Sequence, residues 1–363
     1  MGTLDKRDWR VDFFRGLSLL FIFIDHISDN PLRALTSRHW GFADGAEVFV
    51  FLSGYSGGMA YGGVLAGRGA AAAWRKVGAR WLTIAAAHYG LFGAVVLLAA
   101  GLAAATHDPF PIHGYRLWAL FDLPQWTVPR GLGLAWLARD LDILPLYIAM
   151  LPAVVPVLVL ARRRPWWAFS LSAALYGAEL ASATDFFGPT WSFDPLSWQL
   201  LFVTGVLLGQ RRVGARPPRP RWASPLAGGF AGLALAGNLA IMASHHLGPG
   251  LPDLAAHLSW ALDKRHLAPL RFLDILALAY LAAAFVPMHK APRALAPVTR
   301  CGRHSLALFC LGVLLSFAGN MAGHYWPGPA TLLAVDAMGL TAIVGAAMML
   351  DRLAGVTRPP KTC

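Results

Sequence analysis

The chain has 363 residues, of which 56% are hydrophobic and only 14% charged, with a formal charge of +12 at pH 7. A mean hydropathy of +0.51 excludes an ordinary soluble domain. The basic residues cluster between apolar runs, so their excess marks membrane sidedness, and no nucleic-acid partner is expected.

Ten apolar runs predict membrane-spanning helices at about 11–28, 43–65, 78–105, 141–161, 166–183, 195–210, 223–244, 270–288, 304–321 and 329–350. Only helices and closed barrels satisfy their backbone in lipid, and no strand-like alternation or internal repeat is present. The expected fold is therefore an all-α polytopic membrane protein, a bundle of about ten transmembrane helices forming one integral-membrane domain over residues 1–363. The N-terminal segment enters the first run without a small-residue cleavage site, so no signal peptide is expected. With the N-terminus inside, 22 Lys and Arg fall in cytoplasmic segments, 8 fall outside and Arg15 lies within the membrane. This asymmetry predicts that both termini are cytoplasmic. Arg211–Trp222 is a proline-rich basic hinge between the halves. Two long outward loops, Thr106–Asp140 and His245–Pro269, mix aromatics, histidines and prolines. Cys301, Cys310 and Cys363 share no metal-ligand spacing, no metal site is expected, and cytoplasmic Cys301 and Cys363 are not expected to pair.

The first run, Val11–Asn30, carries Asp12, Arg15, Asp25 and His26. Ionisable groups are costly inside a membrane and usually mark a site. Eleven residues separate Arg15 from His26, about three helical turns plus roughly 20°, so they share a face about 16 Å apart along the axis. A histidine near a helix end is commonly a hydrogen-bonded interface residue. Here it shares a face with Arg15, and the acids Asp44 and Glu47 follow in GFADGAEVFVFLSGY. A carboxylate holding one imidazole nitrogen leaves the other to act as a general base. Glu47 and Asp44 are the first candidates for that carboxylate. Asp25 comes third, because it points about 100° away from its neighbour.

Next along the chain, Ser53 and Tyr55 stand beside Gly57 and Gly58. No Gly-x-Ser-x-Gly elbow is present, so close packing at small residues is the first reading of this segment. A lining for a slender substrate is the second. Arg75, Lys76 and Arg80 anchor the cytoplasmic side and have the chemistry to recognise a phosphorylated ligand. Further polar residues in the runs (His88, Glu179, Gln199, Asp274, Asn320 and Asp336) suit interhelical hydrogen bonds. Arg271 precedes Asp274 by one turn, the spacing of a structural ion pair. Outward aromatics, among them Trp198 and Trp260, suit an interfacial belt or stacking on a sugar face. A ten-helix transporter fits the same composition, but no inverted repeat supports it. A non-catalytic membrane sensor is a further alternative.

These motifs resemble the OpgC family within the acyltransferase-3 superfamily. The resemblance starts at Asp12-Phe-Phe-Arg-Gly and Asp25-His-Ile, with Arg15 and His26 matching the superfamily's Arg-x10-His signature. It continues through Ala46-Glu-Val-Phe-Val-Phe-Leu-Ser-Gly-Tyr55, Leu141-Asp-Ile-Leu-Pro-Leu-Tyr147 and Asp194-Pro-Leu-Ser-Trp-Gln-Leu-Leu-Phe202. Asp263-Lys264, Leu267-Ala-Pro-Leu-Arg271 and Cys301-Gly-Arg-His-Ser-Leu306 complete it. Leu306 follows Ser305 where broader superfamily members have tyrosine. The resemblance implies a multi-pass protein of the bacterial inner membrane that transfers succinyl, or another acyl group such as acetyl, onto a periplasmic glucan or related glycan. It implies acyl-CoA, with succinyl-CoA first, as co-substrate and no permanently bound cofactor. It also implies catalysis by His26 and donor contact by Arg15; taken with the residues themselves, Arg75, Lys76 and Arg80 would hold the donor's phosphates, and Ser53 and Tyr55 would stand along its path. The free carboxylate of a succinyl donor needs a cation, for which Lys264 or Arg271 are the candidates by their charge, and Trp198 and Trp260 are candidates to stack on the acceptor. The oligomeric state is not legible in the sequence.

Overall fold

The computed structural model describes residues 8–182, 186–210, 220–246, 258–288 and 291–355. Within them the chain is helical, and no strand occurs. The basic positions Lys6, Arg7, Arg211, Arg212, Arg216, Arg219, Lys290, Arg358 and Lys361 lie outside the described residues. So do Cys363, most of the proline-rich hinge and the middle of the second long loop.

Helix α1 covers Trp9–Asp25. Asp8 starts it, accepting the Arg10 backbone N–H at 3.1 Å and pairing with the Arg10 guanidinium at 2.7 Å. This is the side-chain cap that a helix N-terminus, with its unsatisfied N–H groups, calls for. The helix stops three residues short of the expected end, with His26 as its C-cap.

The runs expected at 43–65 and 78–105 belong to one helical stretch of 62 residues, α2 (Gly45–Thr106), broken at Gly69. A straight helix of that length would be about 93 Å long, three times the hydrocarbon thickness of a bilayer. Gly69 has φ 79° and ψ 178°, a conformation essentially reserved for glycine. Lys76 Nζ donates to the carbonyl of Ala60 at 3.3 Å and lies 5.8 Å from the centre of the Tyr61 ring. Residues 60 and 76 would be about 24 Å apart along an unbroken helix, so the chain doubles back at Gly69 into a helical hairpin. The connection expected as a loop is thus helical on both sides of a single residue.

Short helices α3 (Phe110–Gly114), α4 (Trp118–Asp122) and α5 (Pro124–Leu132) build the first long loop. The run at 141–161 is α6 (Ile143–Met150) and α7 (Val154–Arg163), joined by a tight turn at Leu151–Ala153 containing Pro152. There follow α8 (Pro165–Ala181), α9 (Pro195–Gln210), α10 (Ala223–His246), the single turn α11 (Ser259–Leu262) and α12 (Pro269–Phe285). The last three helices are α13 (Ala296–Arg303), α14 (Ser305–Tyr325) and α15 (Pro329–Leu353). Among the described residues, five apolar stretches are long enough to cross a membrane: Gly45–Thr106, Ile143–Arg163, Ala223–Ser244, Ser305–Tyr325 and Pro329–Leu353. The other expected runs, 11–28, 166–183, 195–210 and 270–288, are helices of 16 or 17 residues.

The chain forms two compact units. The first contains Met1–Phe49, Arg216–Ala243 and Asp274–Cys363; the second contains Val50–Ala215 and Ser244–Leu273. In the first unit α1 meets α13 backbone to backbone. A Cβ on Gly16 would stand 2.0 Å from the Val298 carbonyl oxygen, and one on Gly302 would stand 1.8 Å from that of Asp12. Phe23 of α1, almost fully buried, fills the space left by Gly339 on α15. In the second unit Gly54 and Gly58 of α2 lie on the carbonyls of Phe202 and Val206, while Gly205 and Gly209 of α9 lie on those of Phe51 and Tyr55. This reciprocal small-xxx-small seam lets two apolar helices gain dispersion contact where lipid offers no hydrophobic drive. It is the close packing expected around Ser53. Gln199 of α9 then bonds Ser172 of α8, its oxygen accepting from Oγ at 2.5 Å and its amide donating to the Ser172 carbonyl at 2.8 Å.

Candidate functional site

His26 terminates α1 and is half-buried. Its main chain is held on two sides. The His26 N–H donates to Ile22 at 3.1 Å, and the His26 carbonyl accepts from Asn320 Nδ2 of α14 at 2.9 Å. Asn320 Oδ1 accepts the Ser28 N–H at 2.8 Å. One buried amide therefore satisfies the carbonyl that α1 leaves open and an amide two residues on, as a helix end in an apolar setting requires. A second tie follows at once: buried Asn30 donates to the Ile24 carbonyl at 3.3 Å and to Asp336 Oδ1 of α15 at 2.8 Å. The histidine sits where polar bonds tie the end of α1 to α14 and, through Asn30, to α15.

The acids proposed to orient it have structural work of their own. Asp44 Oδ1 accepts the Ala46 N–H at 2.9 Å, and Glu47 Oε2 accepts the Asp44 N–H at 2.9 Å. Asp44-x-x-Glu47 is thus a capping box opening α2. Glu47 is fully buried and Asp44 nearly so. The opening turn of α2 lies on α1 just before His26, since a Cβ on Gly45 would touch the Ser18 carbonyl at 3.1 Å and Ile22 at 3.2 Å. The buried Asp274 of α12 fixes the approach to this turn, its Oδ2 accepting the N–H groups of Phe42 and Ala43 at 2.8 and 2.9 Å. Asp25 Oδ1 accepts the Thr36 hydroxyl at 2.8 Å and anchors the loop after α1. Arg15, also half-buried, stands three turns before His26 on α1. His26, Arg15, Asp25, Asp44 and Glu47 accordingly belong to one compact unit.

The remaining candidates belong to the second unit. Tyr147 donates to Ser53 Oγ at 3.1 Å, and the backbone of Tyr55 forms part of the glycine seam. Arg75, Lys76 and Arg80 are exposed beyond the Gly69 reversal. Two stretches far apart in sequence meet here. The Asp194 N–H donates to the Arg265 carbonyl at 2.9 Å, and Trp198 Nε1 donates to the carbonyls of Lys264 and Arg265 at 3.1 and 3.0 Å. Trp198 is fully buried and so shapes the 263–266 turn, with no ring face to offer a sugar; Trp260, 73% exposed, has one. Lys264 Nζ lies 5.5 Å over the Phe193 ring, and Arg271 is half-buried near the start of α12. Asp263 holds the His266 Nδ1 at 2.5 Å. Among the described residues no group of three His, Cys, Asp or Glu side chains is arranged to hold a metal ion.

Sequence reasoning named Asn320 and Asp336 only as generic polar residues of the runs, and Asp274 also as an ion-pair partner for Arg271. Their partners lie 231 to 306 positions away, beyond any local periodicity. The signal available was their cost: a carboxylate or carboxamide in an apolar helix is kept only where it is bonded. It missed α13 altogether.

Apolar helices of membrane-spanning length, carrying buried carboxylates and amides on their inner faces, define an integral membrane protein. A family model described as OpgC protein matches residues 7–355. The chain belongs to the OpgC family. Neither the curated proteins nor the solved structures yield a match.

Proposed function

We propose that the protein is a ten-span O-acyltransferase of the bacterial inner membrane, both termini cytoplasmic. It would move an acyl group, succinyl first, from cytoplasmic acyl-CoA to hydroxyls of a periplasmic glucan. The observation that carries this reading is the setting of His26: a half-buried imidazole at the tied end of α1, on the same helix as Arg15. Family membership supports glucan acyl transfer as the reaction class.

In this mechanism the hydroxyl oxygen attacks the thioester carbonyl carbon while His26 takes the hydroxyl proton. The tetrahedral intermediate collapses, the carbon–sulphur bond breaks, and the imidazolium returns its proton to the departing thiolate. An ester and free CoA result. Glu47 or Asp44 holds the other imidazole nitrogen, with Asp25 next in line. Arg15 contacts the donor, and Arg75, Lys76 and Arg80 recognise its phosphates. Ser53 and Tyr55 stand along its path. Lys264 or Arg271 meets the free carboxylate of a succinyl group, and Trp260 stacks on the acceptor.

The test is transfer of radiolabelled succinyl from succinyl-CoA to glucan by the purified full-length protein. His26→Ala is expected to lose at least about 100-fold in rate, the range of general-base catalysis. Equal transfer by His26→Ala refutes the assignment of the base. Faster transfer from acetyl-CoA than from succinyl-CoA refutes succinyl as the group moved.

A further inference from the structure

A charged cluster in the first unit is not used by this mechanism. It lies where α13 crosses α1 and meets the end of α15. The crossing is set by Gly16 and Gly302, which bring the two backbones into contact. That contact carries Arg300 and Arg303, three residues apart and hence neighbours on one helical face, to the side of Asp351 and Asp12. Arg300 Nε lies 3.3 Å from Asp351 Oδ2 and Arg303 Nη1 lies 3.5 Å from it. Arg303 Nε lies 3.8 Å from Asp12 Oδ2. The carboxylates are 7% and 3% exposed, whereas the guanidiniums are 39% and 33% exposed. The hydrogen bond to Asp351 comes from His304 Nε2, at 2.7 Å.

These distances have a consequence. A charge-assisted N–H···O bond is about 2.7–2.9 Å long. At 3.3–3.8 Å the carboxylates hold the two guanidiniums side by side by charge, without taking up their N–H donors. Each guanidinium has five donors in a planar fork that matches phosphate geometry. Exposed Arg352 adjoins Asp351, and Arg15 lies one turn beyond Asp12 on α1. Charges at helix C-termini are also expected from the helix dipole, but that account needs no pair of partly exposed forks held together by one buried acid.

We infer that Arg300 and Arg303 form a clamp for a phosphate monoester, and that its occupant is the 3′-phosphate of the CoA nucleotide. The choice of occupant rests on the acyl-CoA reading above; the clamp itself does not. The clamp lies on the unit that holds Arg15 and His26.

The experiment measures equilibrium binding of CoA, 3′-dephospho-CoA and pantetheine to the full-length protein in nanodiscs of zwitterionic lipid. Wild type should bind CoA about ten-fold more tightly than 3′-dephospho-CoA, a difference of about 1.4 kcal/mol. Arg300→Gln and Arg303→Gln should each erase that preference. Arg303→Lys keeps the charge beside Asp351 and removes the fork, so it should lose most of the preference while its thermal unfolding stays that of wild type. The clamp is overturned if wild type binds the two nucleotides equally, or if folded variants keep the preference. A repeat in nanodiscs containing phosphatidic acid separates the two sources of a phosphate monoester: competitive loss of CoA binding there overturns the nucleotide as occupant in favour of a lipid headgroup. Acyl transfer is read in parallel. A preference that depends on the arginines, without transfer, refutes the enzyme and leaves the clamp standing; transfer with no such dependence refutes the clamp alone.

Discussion

Gly302→Ala is a demanding test of the packing that supports the site. Its new Cβ would stand 1.8 Å from the Asp12 carbonyl oxygen, 2.6 Å from its carbonyl carbon and 2.9 Å from its Cα. All three are backbone atoms, so no side chain can swing aside. Restoring an ordinary contact of about 3.4 Å requires α1 and α13 to part by roughly 1.6 Å at this point. Overpacking of this kind costs about 1–3 kcal/mol, and rigid backbone on both sides favours the upper end. Alanine returns about 1 kcal/mol of helix propensity over glycine. The net expectation is destabilisation by about 2 kcal/mol. The displaced segment of α1 carries Arg15, and misplacement by about 1 Å can cost on the order of 100-fold in rate. The assays are thermal unfolding of the purified protein and acyl transfer. Gly312→Ala on α14 is the control, since a Cβ there meets nothing within 4 Å; it should be neutral or slightly stabilising. Wild-type stability and activity in Gly302→Ala, or equal damage in Gly312→Ala, would refute the reasoning.

Other outcomes follow from single features. Gly69→Ala should destabilise by about 1–3 kcal/mol through its backbone conformation alone, because its Cβ would meet no neighbour; an unfolding midpoint equal to wild type would contradict the hairpin. Asn320→Ala removes the bonds to His26 and Ser28, each worth about 0.5–1.5 kcal/mol. It should lower the transfer rate far more than donor affinity, and an unchanged rate would show that His26 does not depend on this tie. Cys301 is fully buried, and burial pushes its thiol up to about 11, with the nearby Asp351 charge adding to the shift. Its thiol is protonated at neutral pH, so maleimide should label it only after unfolding; rapid labelling of the folded protein at pH 7 would contradict that burial.

Hydrophobic runs located the helices well because a long apolar run has few other places to go. Where the sequence misled, the cause was local chemistry outweighing hydropathy. The segment Arg68–Val77 is polar enough to look like a loop, yet needs only Gly69 to reverse as a helix. The α13 helix, with Arg300 and Arg303 on one face and Cys301 and Gly302 buried on the other, is too short and too basic to register as a span. Asp44-x-x-Glu47 was visible, and its spacing is that of a capping box, but attention to catalysis read it only as a pair of acids. The ties around His26 depend on residues some 290 or more positions away, and no local pattern encodes such partners.

The Gly69 reversal removes slack from the second unit. Two helices joined by a loop can slide past one another by a residue or two while the loop absorbs the change. Here helix runs to within one residue of the bend on both sides, and Lys76 clasps Ala60 and Tyr61 beneath it. The two arms are therefore mechanically one lever: a push along either arm passes to the other without loss. A residue inserted at the bend would not lengthen a tether but would put one arm out of register with the glycine seam on α9.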